Sequence, residues 1–231
     1  QATVASEAYD RLIPGSADIF RAAVSMLALH VRQGNVEAAR PFWDVLTGAN
    51  QATSDMIQPT TMYAVGLLKS GHVEEGLMEA CKMFGRIRST ARYDNLLQAP
   101  VHEEIGEALE LLGRILIQPS GMIISAPAAV TYLRAMVQNG GLISPFAEHA
   151  VASLGPMGIS QLNVDDLILA LQVQAGMIVH NPSSVYDAAH LVRFAHMVEM
   201  AMNLGVTMDP LTMQLVDQAV LRLSDSRPDL V

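Results

Sequence analysis

The stretch Leu67-Leu68-Lys69-Ser70-Gly71-His72-Val73-Glu74-Glu75-Gly76-Leu77 decides how the rest of the chain is read. An apolar pair closes one helix-like segment, a small residue and a glycine follow, and Val-Glu-Glu opens the next. A glycine just past a helix end takes the left-handed backbone at no steric cost, and acids near a helix start complement its dipole. The stretch therefore reads as the turn of a helical hairpin.

Similar turns recur. Gly34 follows Leu-His-Val-Arg-Gln and precedes Asn-Val-Glu-Ala-Ala, Gly140 follows Ala-Met-Val-Gln-Asn, and Gly176 follows Leu-Gln-Val-Gln-Ala. The steps between Gly34, Gly71, Gly140 and Gly176 are 37, 69 and 36 residues, the middle one about two periods. A punctuated period of this length is the mark of stacked helix-turn-helix units. Between punctuation marks the periodicity is helical: Ile19, Ala22, Ala23, Met26 and Leu27 recur at helical steps. Strand alternation and Asn-Gly or Asp-Gly hairpin signals between strand-like runs are lacking.

The fold class expected is all-α, a right-handed α-solenoid of about five to six stacked units of roughly 35 residues. Units are expected from about residues 17, 56, 89, 125 and 161, with a sixth first-helix over Asp209–Leu223. The unit between Gly71 and Gly140 lacks its glycine, but Ile105–Leu112 reads as its second helix. Residues 1–16 are expected to be an N-terminal extension, 17–223 the repeat domain and 224–231 a frayed tail. Thr47–Gln58 and Gln118–Pro127 read as loops, and Gly155-Pro156-Met157-Gly158 as an inter-helix connection.

Composition narrows the function. Apolar residues make up 51% of the 231 and charged ones only 16%, so part of the apolar surface is expected to lie under a partner. The 14 methionines read first as core filler, since Met packs irregular gaps. A net charge of −9 repels polyanions on average and disfavours nucleic acid as a general ligand. The single Cys81 excludes an internal disulfide and a multi-cysteine zinc site, and reads as a buried small hydrophobe. The most apolar region, Leu109–Val130, is broken by Arg114, Pro119, Gly121 and Pro127, and reads as no membrane span. A start at Gln-Ala-Thr rather than Met suggests a processed chain or a fragment.

Leu67–Leu77 resembles the middle of a pentatricopeptide repeat, with its lysine–small–glycine turn before hydrophobic-Glu-Glu. Asn203-Leu204-Gly205-Val206-Thr207-Met208-Asp209 is similar to that unit's end, and Tyr93-Asp94-Asn95-Leu96-Leu97 to its start. The related tetratricopeptide type also gives helix pairs, at a period nearer 34. The family is mostly organellar, and the resemblance implies a mitochondrial protein, with a plastid or cytoplasmic location left open. In RNA-binding members a polar residue early in each first helix reads a base. Carried over, that position falls on Ser25, Met62 and Asn95, and Met62 breaks the code. The resemblance thus favours a non-enzymatic structural subunit or adaptor of a large assembly, such as a mitoribosome, respiratory complex or ATP synthase. The alternative is a pentatricopeptide RNA-binding factor in organellar transcript processing or translation, with Ser25 and Asn95 as code positions.

Reactive constellations are not evident. No His pair brackets a Glu at zinc-protease spacing, and His190 and His196 fall on different helix faces. Glu74–Glu75, Glu103–Glu104 and Asp165–Asp166 diverge on a helix and read as N-terminal dipole partners. No cofactor, metal or catalytic residue is expected. Lys82, Arg86, Arg88 and Arg92 form the one basic cluster, open to three readings: a phosphate, RNA or lipid contact, a solvated helix end, or a patch meeting an acidic protein partner. Trp43, Phe42 and Phe146 fall in expected second helices, and Trp43 reads as inter-unit core.

Overall fold

The computed structural model describes residues 17–48, 52–91, 98–117, 124–139, 144–180 and 188–226. Among these it holds ten α-helices, one short 3-10 turn (Ser54–Met56) and no strand. The chain divides into two compact units, 1–122 and 123–231.

In the first unit, α1 (Ala17–Arg32) pairs with α2 (Val36–Gly48), and α3 (Ile57–Lys69) with α4 (Val73–Ala91). Helix α5 (Gln98–Ile117) packs against α3 and α4, and α3 also lies against α1. First helices thus stack on first helices, with each second helix laid against its own partner. The core lies between these layers and includes Leu27, Tyr63, Leu67, Leu77, Phe84 and Leu109, all essentially inaccessible to solvent.

Both hairpin turns close in the same way. Gly34 (φ 73°) donates to the Val31 carbonyl while Asn35 N–H reaches back to His30 at 2.9 Å. Gly71 (φ 87°) donates to Leu68 while His72 N–H reaches Leu67 at 2.9 Å. This is the Schellman arrangement, which requires a left-handed residue and satisfies carbonyls the helix end leaves open. Asn35 then caps α2 through its side chain on Ala38 N–H.

The unit expected from about residue 89 takes another form. Residues 89–91 finish α4, and Gln98–Ile117 is one continuous helix rather than the second half of a hairpin. Packing is the physical reason: Gly106 and Gly113 lie within Gln98–Ile117 yet keep helical backbone, because apolar Val101, Ile105, Leu109, Leu112 and Leu116 keep helical spacing on one buried side.

The second unit contains α6 (Ala126–Gln138), α7 (Pro145–Ser160), α8 (Val164–His180), α9 (Ala188–Asn203) and α10 (Pro210–Ser226). Helices α6 and α7 form one pair and α8 and α9 another, and α10 packs chiefly on α8. Ser144 caps α7 by accepting from Phe146 N–H, and Asn163 caps α8 by accepting from Asp166 N–H at 3.0 Å. Asp209 does the same for α10, taking the N–H groups of Leu211 and Thr212.

Gly176 departs from its sequence reading as a turn, whereas Gly155 keeps its reading as a break between helical pieces. Gly176 makes no turn and sits within α8, where every residue from Val173 to Val179 is buried. A helix enclosed on all sides is held by packing, which overrides a single poor helix former. Gly155 (φ 59°, ψ 175°) breaks α7 into two helical pieces, ahead of Pro156. Gly140 lies outside the described residues, as do residues 1–16 and 227–231.

Candidate functional site

The second helices of the first unit, α2 and α4, are joined by a ladder of polar contacts. Arg40 on α2 reaches Glu75 on α4 at 2.8 Å and Glu37 at 3.5 Å. The hydrogen bond to Glu75 is the main reason the Arg40 guanidinium is held even more firmly protonated than usual. One turn on, Trp43 donates its indole N–H to Glu79 at 3.2 Å. The Trp43 ring stacks on Tyr63 of α3 with centroids 4.9 Å apart, and burial lifts the Tyr63 phenol to about 12. Trp43, 3% exposed, is therefore core shared between the first and second helix pairs.

At the next turn the ladder opens. Asp44, Thr47 and Gly48 on α2 face Glu79, Lys82, Met83 and Arg86 on α4 across a cleft of about 230 Å³. Lys82 and Arg86, four residues apart, share this side of α4. Neither makes an ion pair among the described residues. Glu79 spends part of its acceptor capacity on Trp43, and Met83 gives the cleft an apolar floor. The site is suited to holding an extended charged segment through paired cations and rim hydrogen bonds.

The structure separates the four basic residues of the sequence cluster. Arg88 lies two positions beyond Arg86, about 200° around the helix, and is half-buried away from the cleft lining. Arg92 lies outside the described residues. Ser25 is exposed on α1, with its hydroxyl donating to the Arg21 carbonyl of its own helix at 2.9 Å. Asn95 lies outside the described residues. Asp44 and Glu79 escaped the sequence reading. Glu79 was legible at helical spacing from Lys82 and Arg86, whereas Asp44 enters only once α2 is laid beside α4.

A second hollow, about 340 Å³, lies in the other unit between α6 and the α7–α8 turn. Its polar side carries Arg134, paired with Asp166, which also accepts from Asn163 Nδ2 at 2.7 Å. Both Asp166 oxygens are thus engaged, and the group reads as a brace between α6 and α8. Among the described residues no cluster of His, Cys, Asp or Glu has the makings of a metal site, and no helix is long and apolar enough to cross a membrane.

Residues 1–48 match the family model of the tetratricopeptide repeat, and the described part of that match is the α1–α2 pair. The chain is a helical-repeat protein, and its first 48 residues are similar to the tetratricopeptide repeat. No curated protein and no solved structure matches it. The match falls on the related type set beside the pentatricopeptide pattern in the sequence. Helical repeats of this type typically act as protein-interaction scaffolds, which agrees with a cleft built from surface charge rather than from a reactive constellation.

Proposed function

We propose that this repeat protein is a non-enzymatic scaffold, a structural subunit of a mitochondrial multi-protein assembly, which receives an acidic segment of a neighbouring subunit at the α2–α4 cleft. The observation that carries the reading is the opened turn of the ladder. Two successive turns are closed by Arg40–Glu75 and Trp43–Glu79, and the third carries an exposed Lys82 and a half-buried Arg86, neither in an ion pair among the described residues, beside an apolar floor. A structure needing only to join α2 to α4 would close that turn as well. The mitochondrial setting is supported by the pentatricopeptide-like turns at Gly71 and Gly205, and an assembly partner by the low charged fraction of 16%.

The test is purification of the tagged protein from mitochondria, with ribonuclease applied to half of each eluate, alongside the double variant Lys82→Glu/Arg86→Glu. Stoichiometric protein partners that survive ribonuclease, and are lost from the double variant, are expected. Partners lost on ribonuclease treatment with an enriched transcript would replace the scaffold reading with RNA binding. A double variant that keeps every partner would remove the cleft from the reading.

A further inference from the structure

Helix α9 carries two apolar stripes, and the unit covers one of them. Phe194, Met197 and Ala201 are buried where α9 packs on α7 and α8. Leu191, Ala195, Val198 and Met202 follow at steps of four, three and four, about 100° further round the helix. This second stripe is open: Leu191 and Val198 are half-buried, Ala195 is exposed and Met202 is 76% exposed. Helix α10 leaves it open because it lies chiefly on α8.

The spacing says what shape fits. Steps of four and three make a seam that stays in line with a second helix crossing it at a shallow angle, with small Ala195 giving room for a knob. The seam is about 16 Å long, or three turns. Its charge says what chemistry fits. Glu199 stands exposed on the solvent edge, one turn from both Ala195 and Met202, and is the charged residue nearest the seam; His196 and Arg193 lie about 60° and about 120° further round α9, beyond Glu199. A cation on the incoming helix meets Glu199, and an acid is repelled. A second copy of a chain of charge −9 brings the wrong sign, as does an anionic membrane.

We propose that the Leu191–Ala195–Val198–Met202 seam is a docking site for an amphipathic helix of a partner protein, one with an apolar stripe edged by Lys or Arg. This surface is separate from the α2–α4 cleft, and either can fail while the other stands.

The probe is a pair of fluorescein-labelled helical peptides with Leu at the seam positions, one flanked by Lys and one by Glu. Like-charged flanks keep each peptide from pairing with itself. Titrated against the full 231-residue chain, the Lys-flanked peptide is expected to bind at least about tenfold tighter, a difference of about 1.4 kcal/mol. Ala195→Arg should abolish binding, and Glu199→Lys should reverse the preference. Glu107→Lys makes the same change of net charge on exposed α5 and should leave both affinities within about twofold. Unchanged thermal midpoints would show that the variants fold. The proposal fails if neither peptide binds, if Ala195→Arg binds like wild type, or if Glu107→Lys weakens binding as much as Glu199→Lys. It also fails if sedimentation shows a wild-type dimer that Ala195→Arg dissolves, since a second copy then owns the seam.

Discussion

Trp43 and Glu79, 36 residues apart in sequence, are joined by a hydrogen bond of 3.2 Å between the second helices of two successive pairs. The bond couples one repeat to the next at the point where Trp43 also stacks on Tyr63. Trp43→Ala should destabilise the chain by ~3–5 kcal/mol through lost burial and an unfilled cavity. Trp43→Phe keeps an aromatic ring and loses the donor, at about 1 kcal/mol for the hydrogen bond. Glu79→Gln keeps an acceptor and should be close to neutral. Urea midpoints of the three variants check the ranking, and a Trp43→Phe chain as unstable as Trp43→Ala would contradict it.

Two glycines of α4 should respond oppositely to alanine. A Cβ at Gly76 would lie 2.5 Å from Leu68 Cδ1 and 3.0 Å from the Ala64 carbonyl oxygen, so α3 and α4 must separate to admit it. Overpacking of this kind costs ~1–3 kcal/mol. Gly85 has nothing within 4 Å of the same position, so Gly85→Ala should gain ~0.5–1 kcal/mol in helix stability. Thermal unfolding of both variants decides the matter, with midpoints expected to move in opposite directions.

Asp209 makes the start of α10 acid-sensitive. Its carboxylate pKa is held below the ordinary 3.8, chiefly by the Thr212 hydroxyl and then by backbone N–H groups. A depressed folded value means that the contribution is fully present above the unfolded value and is lost as pH falls through the folded one. Amide exchange at Leu211 and Thr212, measured between pH 5 and pH 3 and corrected for intrinsic rates, should therefore show protection falling at the acid end. Asp209→Asn should flatten that part of the profile.

Cys81 should be chemically silent in the native state. It is buried, and loss of solvation alone pushes its thiol up to about 12, leaving little thiolate at neutral pH. A thiol reagent should label it at the rate of unfolding and at full speed in denaturant. Rapid stoichiometric labelling of the folded chain would show that the α4 face carrying Cys81 opens.

Local chemistry made the hairpins legible. Gly34 and Gly71 stand where a left-handed residue is needed, and both turns were readable from the residues around them. Gly205, marked as a unit's end, proves to close with the same hydrogen bonds, Val206 to Ala201 and Gly205 to Met202. The reading failed where tertiary packing outweighed local preference. Gly176 fits the period but is enclosed by neighbours, and α5 continues through the place where a hairpin was expected. The candidate site was half legible. Lys82 and Arg86 share a face by spacing alone, whereas the part played by Asp44 depends on how two helices lie side by side.

The break at Gly155 determines more than the path of one helix. The piece beyond it carries Gly158, where an added Cβ would lie 3.5 Å from the Ala126 methyl, and leads into the Gln161–Asn163 wall of the second hollow. One wall of that hollow is thus placed by the backbone angle at Gly155 as well as shaped by the side chains inside it. A substitution at Gly155 is able to retune the hollow remotely, altering its mouth while every residue of its lining stays the same.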